Sequence, residues 1–180
     1  MRAERGIAWL RVILFTVAIY ATLPVAPVLW RMFARRVGDG AEILVLAGLV
    51  FTGIGVSWYA LRGIDSMGGW RFAALAAIAT TYAAILAMVE LTPAEKLHFL
   101  YYGFLAVLVY RALELDLTGG GLIITTVIVV AVIGLGDEVL QGIIPRRFFE
   151  WKDVGLNAIS GLLATALIVT FRPRTEDAIR

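Results

Sequence analysis

The sequence holds no cysteine and a single histidine in 180 residues. The first absence removes disulfide frameworks and thiol chemistry, and leaves the redox compartment open. The second removes any multi-histidine metal site within one chain. Charge is scarce as well. Asp, Glu, Lys and Arg make up 17% of the chain and hydrophobic residues 61%, against about a quarter and about half in a soluble domain. The formal net charge of +2 reflects arginine-rich flanks to apolar runs, so no nucleic-acid partner is expected. Gly119-Gly120-Gly121 lacks the Lys-Ser/Thr that completes a phosphate loop, which argues against nucleotide binding and leaves no expected cofactor. There is no internal repeat.

What the sequence has in excess is hydrocarbon-soluble stretches of about 20 residues, each long enough as a helix to cross about 30 Å of bilayer. The expected fold is all-α, a polytopic membrane helix bundle of about six transmembrane helices. The runs are Ile7–Trp30, Ala41–Leu61, Trp70–Val89, Pro93–Leu113, Leu122–Ile143 and Asp153–Phe171. The first follows a basic head but is too long for the core of a secretory signal and lacks an A-x-A cleavage pattern, so it reads as an uncleaved helix. Pro24 and Pro27 bend or end it, and Arg31–Gly40 reads as a polar loop. Gly48, Gly53, Gly55 and the alanines of the third run offer small faces for close helix packing. Thr92, Pro93 and Glu95 form a capping-box signature for the fourth run. Residues 62–71 and 119–121 read as glycine-rich turns.

Six crossings place both termini on one side. Lys and Arg then divide nine to seven in favour of the terminal side, which puts the termini in the cytoplasm. This topology brings the chemically useful residues to the outer face. His98 lies near the start of the fourth run, Glu138 and Gln141 near the end of the fifth, and Asp153 and Asn157 at the start of the sixth. Glu138 and Gln141 share one helix face, as do Asp153, Asn157 and Gly161. Arg146 and Arg147 follow Pro145 on the connecting loop, and a return of that loop would carry the Arg147 guanidinium to Glu138. Ionisable residues at such depth are costly and mark candidate sites.

Each residue also has a structural reading. Glu138 and Arg147 serve as an ion pair that pins the loop to the bundle. Gln141 and Asn157 serve as interhelical hydrogen bonds, and Asp153 serves as an N-cap. Asp137, about 100° around the helix from Glu138, faces headgroups or caps a neighbour. Tyr101, Tyr102 and Trp151 read as interfacial aromatics, and Lys152 and Glu150 as solvated charges.

The series Glu95-Lys96-x-His98-Phe99, Asp137-Glu138-x-x-Gln141, Pro145-x-Arg147, Phe149 and Asp153-x-x-x-Asn157-x-x-x-Gly161 resembles the VanZ-like family of small membrane proteins, named for a teicoplanin-resistance protein. One departure is visible: the family's acid-Lys-x-x-His is shortened by a residue here. The resemblance covers about the last 110 residues. It divides the chain into a two-helix addition at 1–70, a four-helix unit at 71–172 and a polar tail at 173–180. It implies an envelope role in a prokaryotic cytoplasmic membrane and a link to glycopeptide resistance, but no reaction.

Three functions follow as expectations. One is a binding protein for a membrane lipid or lipid-linked envelope molecule, with Arg147, Gln141, Asn157 and Asp153 as contacts. Another is an enzyme on the same substrates, with Glu138 as general base and His98 as acid or base. The third is a structural subunit of a larger membrane assembly. A divalent cation on Glu138 and Asp153 is compatible with hard oxygen ligands, though no feature of the sequence requires it.

Overall fold

The computed structural model describes residues 2–38, 40–61, 69–88 and 91–171. Among them the chain is all helix: α1 Arg2–Thr22, α2 Ala26–Val37, α3 Gly40–Leu61, α4 Gly69–Met88, α5 Pro93–Leu113, α6 Gly119–Ile143 and α7 Trp151–Phe171. The loop expected over 62–71 and the tail over 173–180 lie outside the described residues, apart from Gly69, Trp70 and Arg71 in the first turn of α4.

The first apolar run is two helices, not one. Pro24 has no N–H to give to a continuing helix, so the chain turns at Leu23–Val25, closed by the Val25 N–H on the Thr22 carbonyl (3.0 Å). Pro27 then sits in the first turn of α2, where a missing N–H costs nothing. The stretch expected as a polar loop from Arg31 onward continues this helix to Val37. Leu29, Trp30, Phe33 and Val37 fall at three- and four-residue spacings on one side, and Arg31 and Arg35 lie toward the other, so apolar and arginine side chains largely separate. Gly38, at φ +65°, ends it with its N–H on the Ala34 carbonyl (2.8 Å).

Other boundaries follow from caps. At the start of α5 the Thr92 hydroxyl accepts from the Glu95 N–H (3.3 Å), and the Thr92 N–H donates to Glu95 Oε2 (2.6 Å). This is the capping box expected from the sequence. α6 starts at Gly119, so the glycines read as a turn form its first turn. α7 starts at Trp151, where the Glu150 carbonyl accepts from the N–H groups of Asp153 (3.1 Å) and Val154 (3.3 Å). Asp153 is therefore in the first turn and not at the cap, which corrects its expected role.

α5 is the hub. Tyr102, Leu105, Ala106, Val109 and Ala112 are fully buried, and the helix packs against α1, α3, α6 and α7. On α6, Leu122, Thr126, Val130, Gly134 and Glu138 recur every four residues and face inward, while Ile124, Ile128, Val132, Leu135 and Val139 face out. α7 repeats the pattern with Asp153, Asn157, Gly161 and Thr165. The two stripes meet closely. A Cβ on Gly161 would lie 2.6 Å from Val130 Cγ1, and one on Gly134 would lie 2.7 Å from Asn157 Cβ. Gly161 thus permits the close approach expected of it. The glycines of α3 do not: a Cβ at Gly48, Gly53 or Gly55 would meet nothing within 4 Å. α4 likewise packs chiefly on α7, and Phe72 remains exposed.

α1, α4 over Gly69–Ala87, α6 and α7 are each long and apolar enough to cross a membrane. Ion pairs fix which ends lie together. Lys96 joins Glu42 (2.7 Å) and Lys152 joins Glu95 (2.6 Å), tying the starts of α3, α5 and α7. Arg5 pairs with Asp116 at the opposite end. The end of α6 therefore stands beside the starts of α5 and α7.

Candidate functional site

The inward stripes of α6 and α7 turn polar at this shared end. Glu138 and Asn157 are fully buried, and Asp137, Gln141 and Asp153 nearly so. Buried polar groups need hydrogen-bond partners; Asn157 and Asp137 find them on other helices, and Glu138 and Gln141 within α6 and on the loop that follows it.

Asn157 sits at the centre. Its Nδ2 donates to the Gly134 carbonyl of α6 (3.4 Å), and its Oδ1 lies 2.9 Å from His98 Nδ1 on α5. Since an amide oxygen only accepts, this contact calls for a proton on His98 Nδ1, the tautomer whose lone pair is on Nε2. Glu138 is held by two donors. Gln141 Nε2 reaches its Oε1 (2.7 Å), and the Glu150 backbone N–H reaches its Oε2 (3.3 Å). Gln141 in turn accepts through Oε1 from the Arg147 guanidinium. Arg147 therefore meets Glu138 through Gln141. The direct contact expected from the loop's return is replaced by a relay.

The loop that delivers Arg147 is a tight turn. The Arg147 N–H bonds the Ile144 carbonyl (3.1 Å), Pro145 takes the second position, and Arg146 takes the third with φ +67°. This is the type II pattern, in which glycine normally occupies the third position. Arg146 is exposed, whereas Arg147 is half-buried at the rim. Phe148 is exposed (78%), while Phe149 packs against Gly142 and edge-on to Trp151.

The six residues singled out from the sequence therefore meet at one end of the bundle: His98, Glu138, Gln141, Arg147, Asp153 and Asn157. Oxygens of Glu138 and Asp153 and a ring nitrogen of His98 all lie within 4.8 Å of one another, a spacing that one shared cation could bridge. Asp153 Oδ1 is buried and lacks a hydrogen-bond partner among the described residues.

Three expected assignments are corrected. Asp137 does not face headgroups: it is 1% exposed, and its Oδ2 accepts from the Tyr102 hydroxyl (2.9 Å). Tyr102 is not an interfacial aromatic but a fully buried member of the network, its ring centroid 6.0 Å from that of His98. Lys152 is not simply solvated, since it holds Glu95. Helical spacing carried a signal for two of the missed residues. Tyr102 is four residues after His98, and Gly134 is four before Glu138, so each shares a face with a site residue. Nothing in the spacing marked Tyr20, whose hydroxyl donates to the Ile133 carbonyl (2.7 Å).

A family model described as VanZ/LLP1 matches residues 19–172, a span that contains every residue of this network. No curated protein and no solved structure matches the chain.

Proposed function

The chain belongs to the VanZ/LLP1 family, and from that premise we propose that it binds the anionic headgroup of a lipid or lipid-linked envelope molecule at the outer membrane face. The observation that carries this reading is Arg147. Arg147 stands half-buried at the rim, its guanidinium held by Gln141, beside a buried polar floor. A planar fork held in this way suits phosphate or carboxylate, because part of its freedom is already lost before a ligand arrives. Gln141, Asn157 and Asp153 supply the floor. The lipid-facing stripe of α6 runs up to the same end, so an acyl chain and its headgroup would be accommodated together. A link to glycopeptide resistance fits a ligand of this kind.

The proposed topology has six crossings, α1, α3, α4, α5, α6 and α7. α2 lies along the outer surface, being too short at 12 residues to span about 30 Å of hydrocarbon. Both termini are then cytoplasmic. Because the natural chain has no cysteine, single cysteines report directly. Phe148→Cys is expected to react with an impermeant maleimide from outside, and Thr118→Cys only after the membrane is opened. The reverse pattern would invert the topology and remove the outer-face reading.

Headgroup binding is tested by thermal unfolding in detergent with added phosphatidylglycerol or phosphatidylcholine. The parent is expected to gain stability from the anionic lipid. Arg147→Ala should weaken that apparent affinity about tenfold, roughly the loss of one charge-assisted hydrogen bond, and Arg146→Ala should leave it near parental. Equal responses to both lipids in the parent would defeat the proposal.

A second reading, an enzyme on the same substrates, has one observation in its favour. Asn157 holds His98 through Nδ1 and leaves Nε2 free of that contact, with Glu138 nearby, which suits paired acid and base roles.

A further inference from the structure

We propose that His98, Glu138 and Asp153 form a divalent metal site of the Zn2+ class. Their ligating atoms fall within 4.8 Å of one another. Around a tetrahedral zinc ion with bonds of about 2.0–2.2 Å, neighbouring ligand atoms stand about 3.3–3.6 Å apart, so the side chains would draw in by up to about 1.5 Å.

Each ligand is prepared in a different way. Asn157 holds the proton on His98 Nδ1. A carbonyl-type oxygen on the far nitrogen is the outer partner that metal-binding histidines use, and it leaves Nε2 free to coordinate. Glu138 accepts one hydrogen bond on each oxygen, and each oxygen keeps a second lone pair. Asp153 is 8% exposed, yet its Oδ1 has no hydrogen-bond partner among the described residues. Buried carboxylates are ordinarily paired or coordinate a metal. Here the nearby cations are committed: Arg147 contacts Gln141, and Lys152 contacts Glu95. Among the described residues neither Glu138 nor Asp153 has an ion-pair partner.

A second acidic group, Glu95, Glu150 and Asp153, has similar spacing but is a poorer site. The Glu95 carboxylate already has an ion-pair partner in Lys152 and caps α5 through Thr92, unlike Glu138, and Glu150 is exposed. The imidazole decides the metal class. Mg2+ and Ca2+ favour all-oxygen shells, whereas one nitrogen with two carboxylates suits zinc. Three protein ligands leave a coordination position open to water or to a phosphate oxygen. That open position would deepen the headgroup reading, but metal binding does not depend on it, and either can fail alone.

The test uses the full chain purified without a histidine tag. His98 is then the only histidine, and 15N-histidine labelling reports its ring alone. Titration with Zn2+ is expected to reach one ion per chain, shifting Nε2 while Nδ1 stays protonated. By calorimetry His98→Gln, Glu138→Gln and Asp153→Asn should each weaken binding tenfold or more. Asn157→Ala should weaken it about tenfold, as outer partners do, and Glu95→Gln should leave it unchanged. The parent measurement stands even if a variant misfolds. The proposal is overturned if folded parent binds no stoichiometric Zn2+, if the ring nitrogens do not respond, if Mg2+ or Ca2+ is preferred, or if Glu95→Gln abolishes binding.

Discussion

Gly134→Ala is expected to lower stability by about 1–3 kcal/mol, the range for overpacking a close contact, and to pull His98 out of its fixed orientation. The new Cβ would lie 2.7 Å from Asn157 Cβ and 3.3 Å from its Nδ2. A Cβ cannot rotate away, so α6 and α7 must separate or Asn157 must move. Either change breaks the hydrogen bond to the Gly134 carbonyl and frees the amide that orients His98. Alanine's better helix propensity returns only about 0.5–1 kcal/mol. Two other glycines serve as comparators. At Gly136 the obstacle is the Tyr20 hydroxyl (2.6 Å), the far end of a side chain that can swing. At Gly155 a Cβ meets nothing within 4 Å. Unfolding in detergent should rank Gly134→Ala as least stable, Gly136→Ala between, and Gly155→Ala at or above the parent. His98 ring resonances should change only in the first. Equal stability for Gly134→Ala and Gly155→Ala would show that the α6–α7 contact is looser than described.

Tyr102→Phe is expected to cost at least about 1–3 kcal/mol, the penalty for a buried polar group left without its partner. Tyr102 is fully buried, and its hydroxyl is the hydrogen-bond donor to Asp137 Oδ2 (2.9 Å). The other Asp137 oxygen has no partner among the described residues. Removing the hydroxyl therefore takes away the one close hydrogen bond this carboxyl makes among the described residues. Replacing both ends by apolar groups avoids this, so Tyr102→Phe with Asp137→Leu should recover most of the loss. Denaturant unfolding of the two single variants and the double variant measures the coupling. A single Tyr102→Phe variant as stable as the parent would mean that Asp137 is satisfied by other means.

These two residues mark where the sequence stopped being informative. Residue type and four-residue spacing were enough to bring His98, Glu138, Gln141, Arg147, Asp153 and Asn157 to one end of the bundle. They were enough because helical period and span length leave few alternatives once the runs are counted. The Thr92 capping box was legible because its partners are three residues apart. Asp137 was not, because its partner is on another helix. From one helix alone, an acid 100° from Glu138 looks headgroup-facing, and only the position of α5 shows that both directions point inward. Tyr102 was hidden by a true generality, that tyrosines favour membrane interfaces. The α1–α2 break was half visible in Pro24 and Pro27. Its consequence was missed because arginines in α2 look like a loop when counted and like an amphipathic face when spaced. Gly48, Gly53 and Gly55 suggested close packing that α3 does not make. A small face permits a neighbour but does not supply one. The Arg147–Glu138 contact was expected from loop length, which sets reach but not which acceptor is met first. Gln141, one turn closer to the loop than Glu138, takes the guanidinium.

An anionic headgroup bound as proposed would sit against Arg147 and the buried polar end of α5, α6 and α7. A phospholipid carrying a photoreactive group on its headgroup, incorporated with the full chain into nanodiscs and illuminated, tests this most directly. Peptide mapping should find the adduct on the 144–153 segment or the first turns of α5. Its yield should fall several-fold in Arg147→Ala and in the presence of excess phosphatidylglycerol, and should not fall with phosphatidylcholine. Adducts spread evenly over the lipid-facing stripes, with yields indifferent to Arg147 and to competitor charge, would contradict the account.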